Sequence, residues 1–246
     1  MSGHSKWHSI KHKKAANDSK IGKIFTKHGK LITIAARDGG GDPAMNAALR
    51  SAIINAKADN TPSKNIERAI KKGTGELAGA GEIVEIFYDG FGPSGVAFYV
   101  HCITDNRNRS YTNVRTIFSK NGGNLGELGT VAWMFERKGM LTIDCEGKDV
   151  EEIELMLIES GADDFEEHEG ELTVYTDSAE TQKVAEAAEK LGLEVKKKEI
   201  TYLPKQEVPI TDKQVAEKVI HLIDLLEDDE DVQTVYVNAD FADDVL

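Results

Sequence analysis

The sequence predicts an α+β fold, with an N-terminal three-helix domain followed by two α/β domains, the last a ferredoxin-like βαββαβ insertion in the second. Residues 21–73 show helical periodicity that is interrupted only by glycine and proline. Residues 139–201 alternate in the order strand, helix, strand, strand, helix, strand. We therefore expect domains at 1–75, at 82–136 together with 205–246, and at 137–204.

Three amphipathic helices are predicted for the first domain. Apolar residues recur at i, i+3 and i+4 spacings from Ile21 to Ala35, and three glycines from Gly39 end this helix. Asp42-Pro43 is typical of an N-cap followed by proline at the first helical position, so the second helix should begin there. Thr61-Pro62 predicts the same start for the third helix, which should end before Gly73.

Strands dominate after a glycine-rich linker at residues 73–81. Two strand-like runs flank the motif Gly90-x-Gly92-x-x-Gly95, which resembles a dinucleotide fingerprint. That fingerprint requires a helix after the glycines, whereas a strand follows here, so a hairpin turn is the better interpretation. A helix should start at Asp105-Asn106, and residues 131–135 should form a further strand.

The charge of the chain is divided unevenly. The formal net charge is −13, yet residues 1–75 hold 15 Lys and Arg against 5 Asp and Glu, a net charge of +10. The remaining residues therefore carry −23. A basic end on an acidic protein predicts a polyanionic partner, because lysines replace the counterions that phosphates otherwise hold.

The first thirty residues form the main candidate site. The N-terminal arm, residues 2–17, lacks sustained apolar periodicity but places Trp7 among its bases, and an exposed indole can stack on a nucleic-acid base. The lysines of the following helix fall opposite its apolar face and are expected to face phosphates. The predicted nucleic-acid-binding residues of these two segments are His4, Lys6, Trp7, His8, Lys11, His12, Lys13, Lys14, Lys20, Lys23, Lys27 and Lys30.

Arg107 and Arg109 are two further candidates for binding nucleic acid. They lie at a predicted helix N-terminus, where cations oppose the helix dipole and need compensation. Either they form salt bridges with neighbouring acids, or their guanidinium groups bind phosphate. The sequence leaves both alternatives open.

The sequence predicts neither catalytic residues nor a metal or cofactor site. His4, His8 and His12 have helical spacing, but no acid joins them and surrounding lysines repel a cation. Cys102 and Cys145 lie in apolar runs, form no disulfide framework and suit a reducing cytoplasm, where we expect the protein. The sequence contains no run of about twenty apolar residues, so it predicts no membrane span.

Several short motifs resemble one known family. They are Gly3-His4-Ser5-Lys6-Trp7, Gly39-Gly40-Gly41-Asp42-Pro43, Asp105-Asn106-Arg107-Asn108-Arg109 and Gly122-Gly123-Asn124-Leu125-Gly126. Together they resemble the YebC/PmpR family, which includes the mitochondrial translational activators of cytochrome oxidase subunit I. The resemblance extends to the C-terminal strand and implies three domains and a non-enzymatic role linked to nucleic acid.

The resemblance implies two competing functions. One is a DNA-binding transcriptional regulator, and the other is a ribosome-associated factor that binds RNA and assists translation. The lysine row reads phosphates rather than bases, and the basic arm with its aromatic residue suits RNA, whereas most family members are filed as DNA-binding regulators, so the two functions stand nearly equal. The alternatives are an enzyme or a protein adaptor with a ligand site in the cleft between domains. We expect a monomer that binds nucleic acid and does not bind a membrane.

Overall fold

The computed structural model describes residues 18–77, 83–168 and 170–245, and it confirms the α+β class. The helical unit comes first. It contains α1 (Asp18–Gly39), α2 (Ala47–Ala58) and α3 (Ser63–Gly73). These helices enclose a small core of aliphatic side chains, which consists of Ile32, Ala36, Leu49, Ala56, Ile66 and Ala69.

Two predicted helix starts are wrong. α2 begins at Ala47, with Asn46 rather than Asp42 as N-cap, and the Asn46 side chain accepts from Leu49 N at 3.0 Å. The Asn46 amide also donates to main-chain oxygens near the end of α1, so one buried side chain satisfies both helices. Asp42 closes only a single turn, and α3 has Pro62 at its N-cap position without a side-chain hydrogen bond.

The second unit is a four-stranded antiparallel sheet covered by two helices. Its sheet has the order β3-β1-β2-β9, and a short parallel pair, β8 and β10, closes the C-terminal end. The core lies between the sheet and the helices. The elements are β1 (Val84–Phe91), β2 (Ala97–Thr104), α4 (Arg107–Lys120), β3 (Asn124–Leu125), α7 (Lys213–Glu227), β8 (Val208–Ile210), β9 (Val232–Val237) and β10 (Ala239–Phe241).

The strand predicted at residues 131–135 is also wrong, since Ala132–Met134 forms a 3-10 turn. The buried carboxylate of Asp89 accepts from Val131 N at 2.8 Å and from Ala132 N at 3.1 Å. These amides are therefore not available to a sheet ladder. The fourth strand of the sheet is instead β3, which pairs with Gly90 and Phe91.

The third unit has the predicted ferredoxin-like order. Its antiparallel sheet runs β5-β6-β4-β7, with α5 and α6 on one face. The elements are β4 (Phe135–Asp144), α5 (Val150–Ser160), β5 (Ala162–His168), β6 (Glu171–Asp177), α6 (Thr181–Lys190) and β7 (Glu194–Pro204). The predicted limits of the three domains stay predictions.

An aromatic cluster joins the second and third units. The ring of Tyr202 on β7 packs edge-on against Tyr99 at 5.1 Å and against Tyr236 at 5.2 Å between centroids. Phe135, at the start of β4, stacks with Tyr99 at 5.8 Å. Burial raises the pKa of the Tyr99 hydroxyl to about 12, so the cluster stays neutral at physiological pH. No helix in the described part of the chain has the length and hydrophobicity needed to cross a membrane.

Candidate nucleic-acid interface

The N-terminal arm lies outside the described residues, so its predicted contacts stay predictions. They comprise His4, Lys6, Trp7, His8, Lys11, His12, Lys13 and Lys14. Lys20 belongs to α1, but its side chain is outside the described part. The structure therefore places five of the predicted site residues, namely Lys23, Lys27, Lys30, Arg107 and Arg109.

The lysine row of α1 contacts the protein itself, contrary to our expectation that it faces outward. Lys23 Nζ donates to Asp228 O at 3.0 Å, and Lys27 Nζ donates to Glu227 O at 3.0 Å. Lys30 Nζ donates to Glu230 O at 2.6 Å. These carbonyls lie at or just after the end of α7, in the acidic loop (residues 227–231). The lysines thus satisfy orphan carbonyls at the negative end of the helix dipole.

A buried carboxylate anchors this contact. The Asp231 side chain is 2% exposed and accepts from Lys30 Nζ at 3.0 Å and from Arg109 Nε at 3.0 Å. Arg109 Nη2 adds a further contact at 2.9 Å. Burial by itself would raise the pKa of Asp231, but the hydrogen bonds from Lys30 and Arg109 outweigh it and hold the pKa below its usual range.

The two arginines of the predicted site have different environments. Arg109 follows the salt-bridge alternative, since it also contacts Asp105 at 2.9 Å. Arg107 is exposed, and its main-chain oxygen accepts from the Tyr88 hydroxyl at 3.4 Å. Within residues 18–77, 83–168 and 170–245, no carboxylate lies within ion-pair distance of Arg107. The phosphate-binding alternative therefore remains for Arg107 alone.

A second basic surface, which was not among the predicted site residues, lies on α3. Ile66 and Ala69 are buried in the helical core, and Lys64, Arg68 and Lys71 are exposed on the other side. Lys72 is half-buried at the edge. None of these four cations, the α3 basic face, forms an ion pair with a described residue. The amphipathic period of α3 was the signal that could have identified them.

A cleft of about 470 Å³ lies beside the α3 basic face. Arg68 and Lys72 of α3 line it together with Glu230 and with Asp105 and Asp231, which are paired with Lys30 and Arg109. A cleft that carries both signs of charge favours a ligand whose anionic groups lie along one edge. A flexible single strand meets this requirement, because its phosphates follow one edge and its bases the other.

The helical unit also contacts the third unit. β7 is an edge strand, and the Asn55 side chain of α2 pairs with the Lys198 main chain through Lys198 N at 3.0 Å and Lys198 O at 2.9 Å. Nearby, Asp59 contacts His28 Nε2 at 2.8 Å and Lys197 Nζ at 2.9 Å. Burial opposes the charge of Asp59, but these two partners lower its pKa to about 2.

Asp59→Asn should lower the free energy of unfolding by about 1–2 kcal/mol at pH 7, with allowance for its partial exposure to solvent. Because the folded pKa of Asp59 is about 2 and its ordinary value is 3.8, the contribution is present above about pH 4 and is lost as the pH falls toward 2. Urea denaturation at pH 7, 4 and 2.5 measures this. A difference from wild type that persists unchanged at pH 2.5 would contradict the assignment.

Family models and relatives agree on the class of the protein. Residues 5–76 match the model of the TACO1/YebC protein N-terminal domain, and residues 83–239 match that of the TACO1/YebC second and third domain. The chain belongs to the TACO1/YebC family. It is 50% identical over 248 residues to a probable transcriptional regulatory protein of Halothermothrix orenii, covering all of this chain and 98% of the relative.

Two other relatives support the same assignment. A probable transcriptional regulatory protein of Desulfotalea psychrophila is 50% identical over 247 residues, which cover all of this chain and 98% of that protein. The crystal structure of a conserved hypothetical protein from Aquifex aeolicus has a TM-score of 0.88 and 45% identity. The match covers 96% of this chain and 97% of that chain, so the fold is shared throughout.

Proposed function

We propose that this protein is a non-enzymatic regulator of gene expression that binds nucleic acid through its N-terminal arm and the α3 basic face. The observation that carries the proposal is the α3 basic face itself. Four cations without a described acidic partner are concentrated on an 11-residue helix of a chain whose net charge is −13. Such a face attracts phosphates, while the acidic remainder limits indiscriminate coating of the polymer.

The cleft supports single-stranded RNA over duplex DNA as the target. A helix that enters a major groove has phosphate backbones on both sides. The cleft beside α3 also holds Glu230, whose exposed carboxylate would repel a second backbone. A single strand avoids this repulsion, and ribosomal RNA offers many such segments. We therefore favour a cytoplasmic, ribosome-associated monomer, and a DNA-binding transcriptional regulator is the alternative that the names of the relatives favour.

Crosslinking in living cells, followed by sequencing of the bound nucleic acid, tests the target. We expect more ribosomal or other RNA to be recovered with wild type than from control cells that express a variant of the α3 basic face. Enrichment of promoter DNA instead would replace the RNA proposal by the transcriptional one. Recovery of no nucleic acid above that control would contradict both.

The variant Lys64→Gln/Arg68→Gln/Lys71→Gln/Lys72→Gln should weaken binding to single-stranded RNA at least tenfold at 0.1 M salt. The slope of log affinity against log salt concentration should also become less steep by about 2–3, because each lost phosphate contact removes about 0.7. Fluorescence anisotropy measures both quantities. Lys11→Ala/Lys13→Ala/Lys14→Ala in the arm should change affinity and slope in the same direction.

A matched control comes from the acidic part of the chain. Lys183→Gln/Lys190→Gln/Lys213→Gln/Lys218→Gln removes the same formal charge from four exposed lysines of α6 and α7. This control should bind RNA within about twofold of wild type at 0.1 M salt, because Debye screening limits the reach of distant charges to roughly 10 Å. Equal weakening of both variants would show that net charge, not the α3 basic face, governs binding.

A further inference from the structure

The outer face of α4 carries a row of two arginines and a tyrosine. Arg107, Tyr111 and Arg115 follow one another at intervals of four residues, which places them on one side of the helix with roughly 5–6 Å between successive Cβ atoms. All three side chains are exposed, and Tyr111 is 45% exposed. We call these three residues the α4 row.

The charge of α4 differs from that of its surroundings. The helix contains three arginines and one lysine but no acid, within a part of the chain whose net charge is −23. Arg109 lies on the side that faces Asp231 and is engaged there. Among the residues that the structure describes, Arg107 and Arg115 have no ion-pair partner. Arg107 moreover opposes the helix dipole, so folding alone does not favour its charge.

The tyrosine of the α4 row is held in place from behind. Its ring lies 6.1 Å from that of Tyr88, tilted by 56°. The Tyr88 hydroxyl donates to Arg107 O, so the same strand residue supports both the ring and the first turn of α4. Asn108 and Thr112, the neighbours on the exposed side, are neutral and bond to each other through Thr112 Oγ1 and Asn108 O at 2.7 Å. The exposed part of the Tyr111 side chain can accept a flat partner.

We propose that the α4 row is a second binding site for single-stranded RNA, in which Tyr111 stacks on a base and the two arginines bind the flanking phosphates. An aromatic ring between cations matches the alternation of bases and phosphates along a single strand. The guanidinium forks bind phosphate oxygens in pairs. This inference rests on the proposed function, but it uses a surface of its own on the second unit.

Anisotropy with a fluorescein-labelled oligouridine tests the stacking contact. Tyr111→Ala should weaken binding at least fivefold, the lower end of the effect of losing one base–aromatic stack. Its salt slope should remain that of wild type, because no charge is lost. Tyr111→Phe should bind within about twofold of wild type, since the ring alone stacks. A Tyr111→Phe variant as weak as Tyr111→Ala would overturn the stacking assignment.

Loss of the two arginines should change the salt dependence of binding, unlike loss of the Tyr111 ring. Arg107→Gln/Arg115→Gln should make the salt slope less steep by about 1.4, which corresponds to two lost phosphate contacts. Ultraviolet crosslinking to the same oligouridine should attach a nucleotide to the peptide that contains Tyr111. An unchanged slope or a crosslink only elsewhere would contradict the proposal. Oligoglutamate can be added as a competitor that stands for an acidic protein. If it displaces the RNA from wild type but not from Tyr111→Ala, the α4 row binds an acidic protein partner and not RNA.

The two proposals fail in distinguishable ways. If wild type does not bind oligouridine or ribosomal RNA, the proposed function fails, and this inference fails with it. If wild type binds and the α3 variant weakens binding while Tyr111→Ala does not, only the α4 row is wrong. Thermal denaturation of each variant controls for folding. An exposed Tyr111 should contribute little, so Tyr111→Ala should unfold within about 2 °C of wild type.

Discussion

Replacing Lys30 and Arg109 together by methionine is expected to lower the free energy of unfolding by about 3–5 kcal/mol at pH 7. Both cations donate to Asp231, whose side chain is 2% exposed, and their loss leaves a buried carboxylate without a cation. Lys30 also binds Ile103 O at 2.9 Å and Glu230 O, so α1 loses one contact with β2 and one of its contacts with the acidic loop. Urea denaturation followed by circular dichroism measures the loss.

A third substitution distinguishes the cost of the unpaired buried charge from the cost of the lost packing. Adding Asp231→Asn to the double variant should recover part of the lost stability, because a neutral amide costs less to bury than a carboxylate. The pKa of Asp231 in wild type is lowered, so its contribution is present above about pH 4 and disappears as the pH falls through the folded pKa. A double variant within 1 kcal/mol of wild type would show that the two cations on Asp231 are dispensable for stability.

Local patterns predicted most of the elements. The periodicity that starts at Ile21 predicted α1, and the glycines after it predicted its end. The alternation in residues 139–201 predicted the ferredoxin-like unit, whose order of strands and helices the structure confirms. Such signals are reliable because a helix or a hairpin is specified by residues close together in sequence.

The errors arose where a distant residue decides the local structure. Asp89 holds residues 131–134 in a turn across 42 positions, although these residues are apolar enough for a strand. Lys23 meets Asp228 across 205 positions. The charge pattern of α1 identified the lysine row correctly, but no local rule states whether its partner is a phosphate or a carbonyl at the end of another helix.

The arginine pair shows a case that the sequence could have settled. Residues two positions apart on a helix point about 200° from each other, so Arg107 and Arg109 cannot share one ligand easily. The same rotation of about 100° per residue places Arg107, Tyr111 and Arg115 on one side of α4. It also places Lys64, Arg68 and Lys72 on one side of α3. What the sequence could not supply is the position of Asp231, which takes Arg109 out of any such surface.

Gly139→Ala should lower the free energy of unfolding by about 2–3 kcal/mol. Gly139 lies inside β4, opposite Thr176 on β6 and Ile200 on β7. A methyl group there would overlap the hydroxyls of Thr176 and Thr181, which share a buried hydrogen bond at 3.0 Å. The overlap forces this pair apart, so the cost combines overpacking with a lost buried hydrogen bond. Urea denaturation again measures the change.

Gly22→Ala in α1 is the matched control, because no atom lies within 4 Å of the position that its Cβ would take. Alanine is the better helix former, so this variant should be as stable as wild type or more stable by up to about 1 kcal/mol. Gly139 lies in the third unit, away from the α3 basic face and the α4 row. Folded Gly139→Ala should therefore bind RNA as wild type does. A loss of stability below 1 kcal/mol would mean that α6 can shift to make room for the methyl group.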